Sequence, residues 1–398
     1  MRIPLTFALV AIAGQSVISR ANRKAIRRSI RILIPYGAML TWAIATEFSG
    51  SHRSYESVTD FCLSFPPKFL IGPMFLLAFC VLVRTPYQMR FVIGAMVLPV
   101  LLSGLVGVMQ YLNIGLGDYL HDNLRPSSTA DLKRRIVNYG AISTMGLAGS
   151  PIEFITTLTT VSSMPIAYFL VDSTNKLKLI KVVSIGLFLV VSALLLVCGS
   201  RSGVLAVAGS AAILVLWTPR ALKGFEIGRN IIAIFVIVSV VFVGYSTFRE
   251  VETRLSKSHR ISNLADMQRV ELIGHSLWAI QKDPIFGYGG GKFKDQFGIT
   301  PHNGLINAGV YWGIPAMIAS LVCYILLAAD LFKWLFSRRQ LTQISWMTVA
   351  GGLCVAAYLW HGMTHNASLT SGGTLFFMVY GIPTISYVWE SESRSLRI

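Results

Sequence analysis

Three side chains in this sequence could together carry a group transfer, and they stand far apart along it: Arg201 in Ser200-Arg201-Ser202-Gly203, Arg269 in a stretch of helical spacing, and His302 in Pro301-His302-Asn303-Gly304. A guanidinium is a planar fork of donors that suits a phosphate or pyrophosphate. An imidazole at a water interface titrates near neutral pH and can take a proton from a hydroxyl as a general base. Each residue also has a plainer reading. Arg201 could be a snorkelling turn residue, Arg269 a salt-bridged surface arginine and His302 a structural histidine. Taken singly, the residues leave both readings open.

The polar, glycine-rich segment from Ala265 to Gly313 gathers most of this chemistry. Leu264, Met267, Val270, Leu272, Ile273, Leu277 and Ile280 offer an apolar face at helical spacing. They predict a helix along the outer membrane surface, with Arg269 and Glu271 at its polar edge. Pro284-Ile285-Phe286-Gly287-Tyr288-Gly289-Gly290-Gly291 follows; no strand precedes these glycines and no Gly-Lys-Ser/Thr comes after, so they form no nucleotide motif. They predict a tight, bendable loop whose backbone N–H groups approach a ligand. Gly287, Gly289 and Asn303 are candidate substrate-binding positions.

His361-Gly362-Met363-Thr364-His365 sets two imidazoles at i and i+4, a metal-compatible spacing without the glutamate of a metalloprotease helix or an evident third ligand. No Asp-x-Asp occurs. Neither a metal nor another cofactor is implied. Most of the five cysteines sit in or at the ends of apolar runs and read as buried small hydrophobes rather than as a disulfide or zinc framework.

The elements that must position these groups are membrane spans. Hydrophobic residues make up 54% of the 398 and charged residues only 13%, with mean hydropathy +0.61; soluble chains carry roughly 25% charged residues. The apolar blocks run to about 16 to 28 residues, the length that crosses a hydrocarbon core of about 30 Å as helix. Helices satisfy their own backbone there, so an all-α polytopic transmembrane bundle of about 10 to 12 spans with a partly helical outer loop is expected. Residues 3–18 read as a first span with its N-terminus outside, an interfacial helix being the alternative. Further spans are read at 32–46, 67–83, 91–112, 151–171, 182–199, 203–217, 230–248, 303–330, 346–360 and 373–389.

Every second connection is short and basic, beginning with Arg20, Arg23, Lys24, Arg27, Arg28 and Arg31, and these face the cytoplasm. Much of the formal net charge of +17 is therefore topology, and nothing points to nucleic acid. Two long outer loops, 113–150 and 249–300, mix apolar, charged and turn residues and read as folded surfaces. Their cations, including Arg125, Lys133, Arg134, Arg135, Arg254, Lys282, Lys292 and Lys294, make either a solvated surface or an attraction for a phosphate at the outer leaflet. The chain reads as three parts: 1–180 with the first long outer loop, 181–345 with the polar segment, and 346–398.

In this order and topology the motifs resemble the O-antigen ligase and polysaccharide polymerase superfamily of bacterial inner membranes. The matching parts are Ser200-Arg201-Ser202-Gly203 between two spans, a helix bearing Arg269, Asp283-Pro284-Ile285-Phe286-Gly287-Tyr288-Gly289, and His302-Asn303 followed by Gly309 and Gly313. The resemblance implies a GT-C-like glycosyltransferase that takes a glycan from a polyprenyl pyrophosphate carrier on the periplasmic face of the inner membrane, without metal or nucleotide sugar. It implies Arg201, Arg269 and His302 as the catalytic set. Many relatives carry an arginine before a Gly-and-Pro segment in the earlier outer loop; here Arg134 and Arg135 precede Gly140, Gly146 and Pro151 at a looser spacing, as candidate substrate-binding residues.

The chemistry fits. Breaking a sugar–pyrophosphate bond builds negative charge on the leaving group, which preorganised cations stabilise, and one displacement assisted by a base inverts the anomeric carbon. The partners expected are the lipid-linked donor, a glycan or lipid A core acceptor and membrane lipids. A transporter or flippase for lipid-linked glycans is the alternative, although such proteins carry charges or broken helices near the membrane midplane. A non-catalytic scaffold would leave the three-residue set unexplained.

Overall fold

The structure, a computed structural model, describes residues 19–48, 65, 69–112, 114–124, 151–171, 178–197, 201–217, 234, 238, 264–298, 300–301, 303–336, 345–364 and 374–395. Twelve α-helices lie among them and no strand. In chain order these are α1 Arg20–Phe48, α2 Ile71–Leu82, α3 Pro86–Tyr111, α4 Gly115–Leu124, α5 Pro151–Val171, α6 Lys178–Val197, α7 Arg201–Trp217, α8 Leu264–Lys282, α9 Gly290–Phe297, α10 Gly304–Phe336, α11 Ser345–Thr364 and α12 Thr374–Ser395. Of these, Arg20–Phe48, Pro86–Gln110 and Gly304–Phe336 are long and apolar enough to cross a membrane. The chain is an all-α polytopic membrane protein. The span read at 3–18 and most of that at 230–248 lie outside the described residues.

Two compact units share the chain. The first is drawn from Met1–Leu82, Gly244–Lys333 and Gly362–Ile385, and the second from Val83–Val243, Trp334–His361 and Ser386–Ile398.

In the first unit α1 sets the frame. Its buried positions Ala21, Ala25, Ser29, Ile32, Tyr36, Met39, Ala43 and Thr46 recur every three or four residues, one stripe of a helix. Arg20, Arg23, Lys24, Arg27 and Arg31 stay exposed off that stripe. The basic cluster is thus the opening of α1, and the helix starts well before the span expected at 32–46. Two partners run antiparallel to it. Asn22 donates its amide N–H groups to the carbonyls of Cys80 (2.8 Å) and Val81 (3.2 Å), which are orphan acceptors at the end of α2. The Tyr36 hydroxyl donates to Phe69 O at 3.2 Å, ahead of the other end of α2. Along α10, the Cys323 thiol points to Ile32 O and the Trp42 indole to Trp312 O. The arginine-rich end of α1 and the start of α10 therefore lie at opposite ends of this unit. Cys80, Cys323 and Cys354 are all buried and free, as their apolar surroundings predict.

In the second unit α3 opens with a full capping box, Thr85 accepting from Gln88 N–H while the Gln88 side chain accepts from Thr85 N–H. α4 was not foreseen; it occupies the beginning of the loop read at 113–150. The tight turn into it leaves no room at Gly117, where a Cβ would sit 2.7 Å from Met109 Cβ.

Candidate active site

The histidine motif sits at the start of α10. Asn303 is the cap: its Oδ1 accepts from the N–H groups of Leu305 (2.9 Å) and Ile306 (3.2 Å), and its carbonyl accepts from Asn307 N–H at 2.8 Å. Pro301 is buried. His302, between them, lies outside the described residues.

Nine residues on, α10 breaks. Gly313 has φ 82° and ψ −180°, a backbone conformation open in practice only to glycine, and Pro315 follows. The segment Gly304–Trp312 is thereby set off as a half-helix. The loop 284–289 fills the break. Its Gly289 N–H donates to Val310 O (3.0 Å), and its Pro284 carbonyl accepts from Ile314 N–H (2.8 Å). Backbone meets backbone here, since a Cβ on Gly287 would sit 2.6 Å from the Gly313 and Trp312 nitrogens, and one on Gly313 would overlap the Ile285 carbonyl. The loop itself is closed by Gly287 N–H to Asp283 O (3.0 Å) and Phe286 N–H to Asp283 Oδ1 (3.3 Å).

Two points of the sequence reading change. The amides of Gly287 and Gly289 are engaged inside the protein rather than turned to a ligand, because the broken helix needs those donors and contacts. Gly290 and Gly291 open α9 instead of extending the loop.

Trp42 of α1 completes the joint. Its Nε1–H donates to Trp312 O at 2.9 Å and to Ile285 O at 3.2 Å, and its ring stacks on Phe286 at 5.9 Å and 5°. One donor thus reaches both the half-helix and the docked loop. No local signal announces it: a lone tryptophan in an apolar run reads as an interface anchor, and its acceptors are more than two hundred positions away.

α8, which bears Arg269, packs on the same half-helix. Leu272, Ala279 and Ile280 share a buried cluster with Tyr288, Phe293 and Val310, and Ile280 lies over Gly309. The helix agrees with expectation, but its apolar face is narrower: Ile273 and Leu277 are 49% and 51% exposed. Glu271, expected at the polar edge, is exposed. Two of the cations read as either a solvated surface or an attraction for a phosphate lie over aromatic rings: Lys282 Nζ is 4.7 Å from the Trp278 ring centroid and Lys292 Nζ 5.5 Å from that of Tyr288. His275 stacks on Phe297 at 4.3 Å, tying α8 to α9.

The structure therefore sets Gly287 and Gly289 at the far end of the half-helix that Asn303 caps, with the helix of Arg269 packed against it. Arg201 is the first residue of α7, in the second unit. Arg134 and Arg135 lie outside the described residues. Of the histidine pair, His361 is buried with Nε2 3.3 Å from Thr159 Oγ1, and His365 is not among the described residues.

Residues 185–321 match the O-antigen ligase family. The matched stretch runs from α6 to the middle of α10 and takes in Arg201, Arg269, the docked loop, His302 and the broken half-helix. The match supports the likeness of this chain to the O-antigen ligase and polysaccharide polymerase superfamily of membrane glycosyltransferases. No curated protein matches the chain.

Proposed function

We propose that the protein transfers a glycan from a polyprenyl pyrophosphate carrier to a sugar hydroxyl at the periplasmic face of a bacterial inner membrane, in O-antigen or exopolysaccharide assembly, as polymerase or ligase. His302 takes the acceptor's proton as its oxygen attacks the anomeric carbon. The carbon–oxygen bond to the pyrophosphate breaks in the same displacement, with inversion and without metal. Arg269 and Arg201 receive the growing charge on the leaving group; hydrogen bonds to charged groups contribute about 1.5–3 kcal/mol each. Arg201 opens α7, where the helix dipole also favours an anion. Asn303, Gly287, Gly289, Arg134 and Arg135 shape the substrate site around them.

One observation carries this reading: within the stretch that matches the family, a capped half-helix begins beside His302, and a docked loop and the helix of Arg269 hold it from two sides. The arginine-rich end of α1, expected in the cytoplasm, is at the unit's other end.

The test is transfer from lipid-linked glycan extracted from the producing cells. R269A and H302A should each lose at least a hundredfold in rate while inserting into the membrane at wild-type levels. Normal polymer or capped lipopolysaccharide from both variants would sink the proposal. The break in α10 also favours, as a second reading, a transporter of the same lipid-linked glycans, since such proteins use discontinuous helices. Uptake of the extracted glycan lipid by proteoliposomes holding this protein alone, without transfer, would decide for it.

A further inference from the structure

We infer that Trp42 is a positioning residue for the transfer: one indole N–H, shared between two carbonyls, locks the docked loop to the half-helix that begins next to His302. The inference rests on the functional reading above and adds to it a residue far outside the family match, on a different helix.

A half-helix cut from its span at a glycine and a proline has no continuous ladder to hold its direction. Its carbonyls and amides near the cut must be met from elsewhere, because in a membrane no water stands in for them. Three bonds do this. Gly289 N–H meets Val310 O, Pro284 O meets Ile314 N–H, and Trp42 Nε1–H meets Trp312 O at 2.9 Å. Only the third comes from outside the loop, and the same N–H reaches Ile285 O at 3.2 Å. Remove it and the loop and half-helix still touch, but both lose this bond to α1. Ile285 and Phe286 are 54% and 39% exposed, so neighbouring side chains cover this corner only partly; the indole, stacked on Phe286, supplies both cover and direction. A base must sit within hydrogen-bond reach of the hydroxyl it serves, and a shift of about 1 Å can cost on the order of a hundredfold. Trp42 acts on that distance through the loop and half-helix.

W42F keeps a ring against Phe286 and removes the donor; W42H keeps a donor on a smaller ring. In W42F, hydrogen exchange should rise in 284–289 and 310–314 while the other helices stay protected. Its kcat with the extracted lipid-linked glycan should fall roughly ten- to a hundredfold, with KM within about twofold, and W42H should recover part of both. Wild-type exchange in W42F overturns the inference, and so does raised exchange with unchanged kcat. Should W42F lose protection everywhere, W42H decides: protection at 310–314 with near-normal kcat supports the inference, and protection with the full loss of kcat overturns it. If the wild-type protein transfers nothing, the functional reading falls, and with it any role in catalysis, while exchange in W42F still tells whether the indole holds the joint.

Discussion

Among the helices with an internal proline, α3 and α10 treat theirs differently. α3 runs 26 residues through Pro99 and continues to Tyr111, whereas α10 leaves helical geometry at Gly313, two residues before Pro315. A proline removes one N–H and crowds the preceding turn in either helix, so the proline alone does not explain a cut. The difference is what comes to the freed backbone. α10 receives an amide, a carbonyl and an indole N–H from a loop and from α1. Polar backbone at membrane depth persists where protein covers it. The cut in α10 is therefore made by the docked loop at least as much as by its own sequence.

The largest effect should come from closing the contact where backbone meets backbone. G313A puts a Cβ onto the Ile285 carbonyl in a conformation alanine avoids, at a combined cost of roughly 2–6 kcal/mol. G94A in α3 adds a Cβ that meets nothing within 4 Å, and should change stability by less than about 1 kcal/mol, in the stabilising direction. Thermal unfolding of both variants in detergent checks the pair. Equal melting temperatures would mean that the loop and half-helix do not depend on each other.

Much of the frame was legible beforehand. Runs of apolar residues located α3, α5, α6, α7, α10, α11 and α12, since a membrane leaves the chain few options but helix. The periodicity from Leu264 to Ile280 located α8, whereas Asn303, which caps α10, reads from the sequence only as a substrate-binding position. What sequence reasoning missed depends on long-range partners. Gly313 could have been any glycine in a span until Ile285 was found against it. Gly290 resembles Gly289 in sequence, yet one starts a helix and the other bonds to Val310. Ile273 and Leu277 fit a helical apolar face, but the partner helix covers only the stripe of Leu272, Ser276 and Ile280.

A smaller effect separates the two roles open to Asn303. N303A removes the acceptor for Leu305 and Ile306 and should cost about 1 kcal/mol of stability. N303D keeps an acceptor at the cap and should melt like the wild type. If N303D also transfers glycan normally, Asn303 is a cap alone. If it is stable and inactive, its amide group touches substrate, as the proposed function has it.

The smallest change tests the comparison most directly. Alanine at position 315 restores the N–H that would reach Tyr311 O in a continuous helix. To use it, α10 would have to release Gly289 from Val310, Pro284 from Ile314 and Trp42 from Trp312, and expel Gly287 from beside Gly313. One recovered bond, with a net contribution of about 0.5–1.5 kcal/mol, does not offset three. P315A should therefore keep the cut, with hydrogen exchange at 310–314 unchanged. P99A should gain its helix bond outright, because α3 keeps helical geometry through position 99, and raise the melting temperature more. If P315A instead protects 310–314 fully and loosens 284–289, the proline makes the cut and the loop merely occupies it.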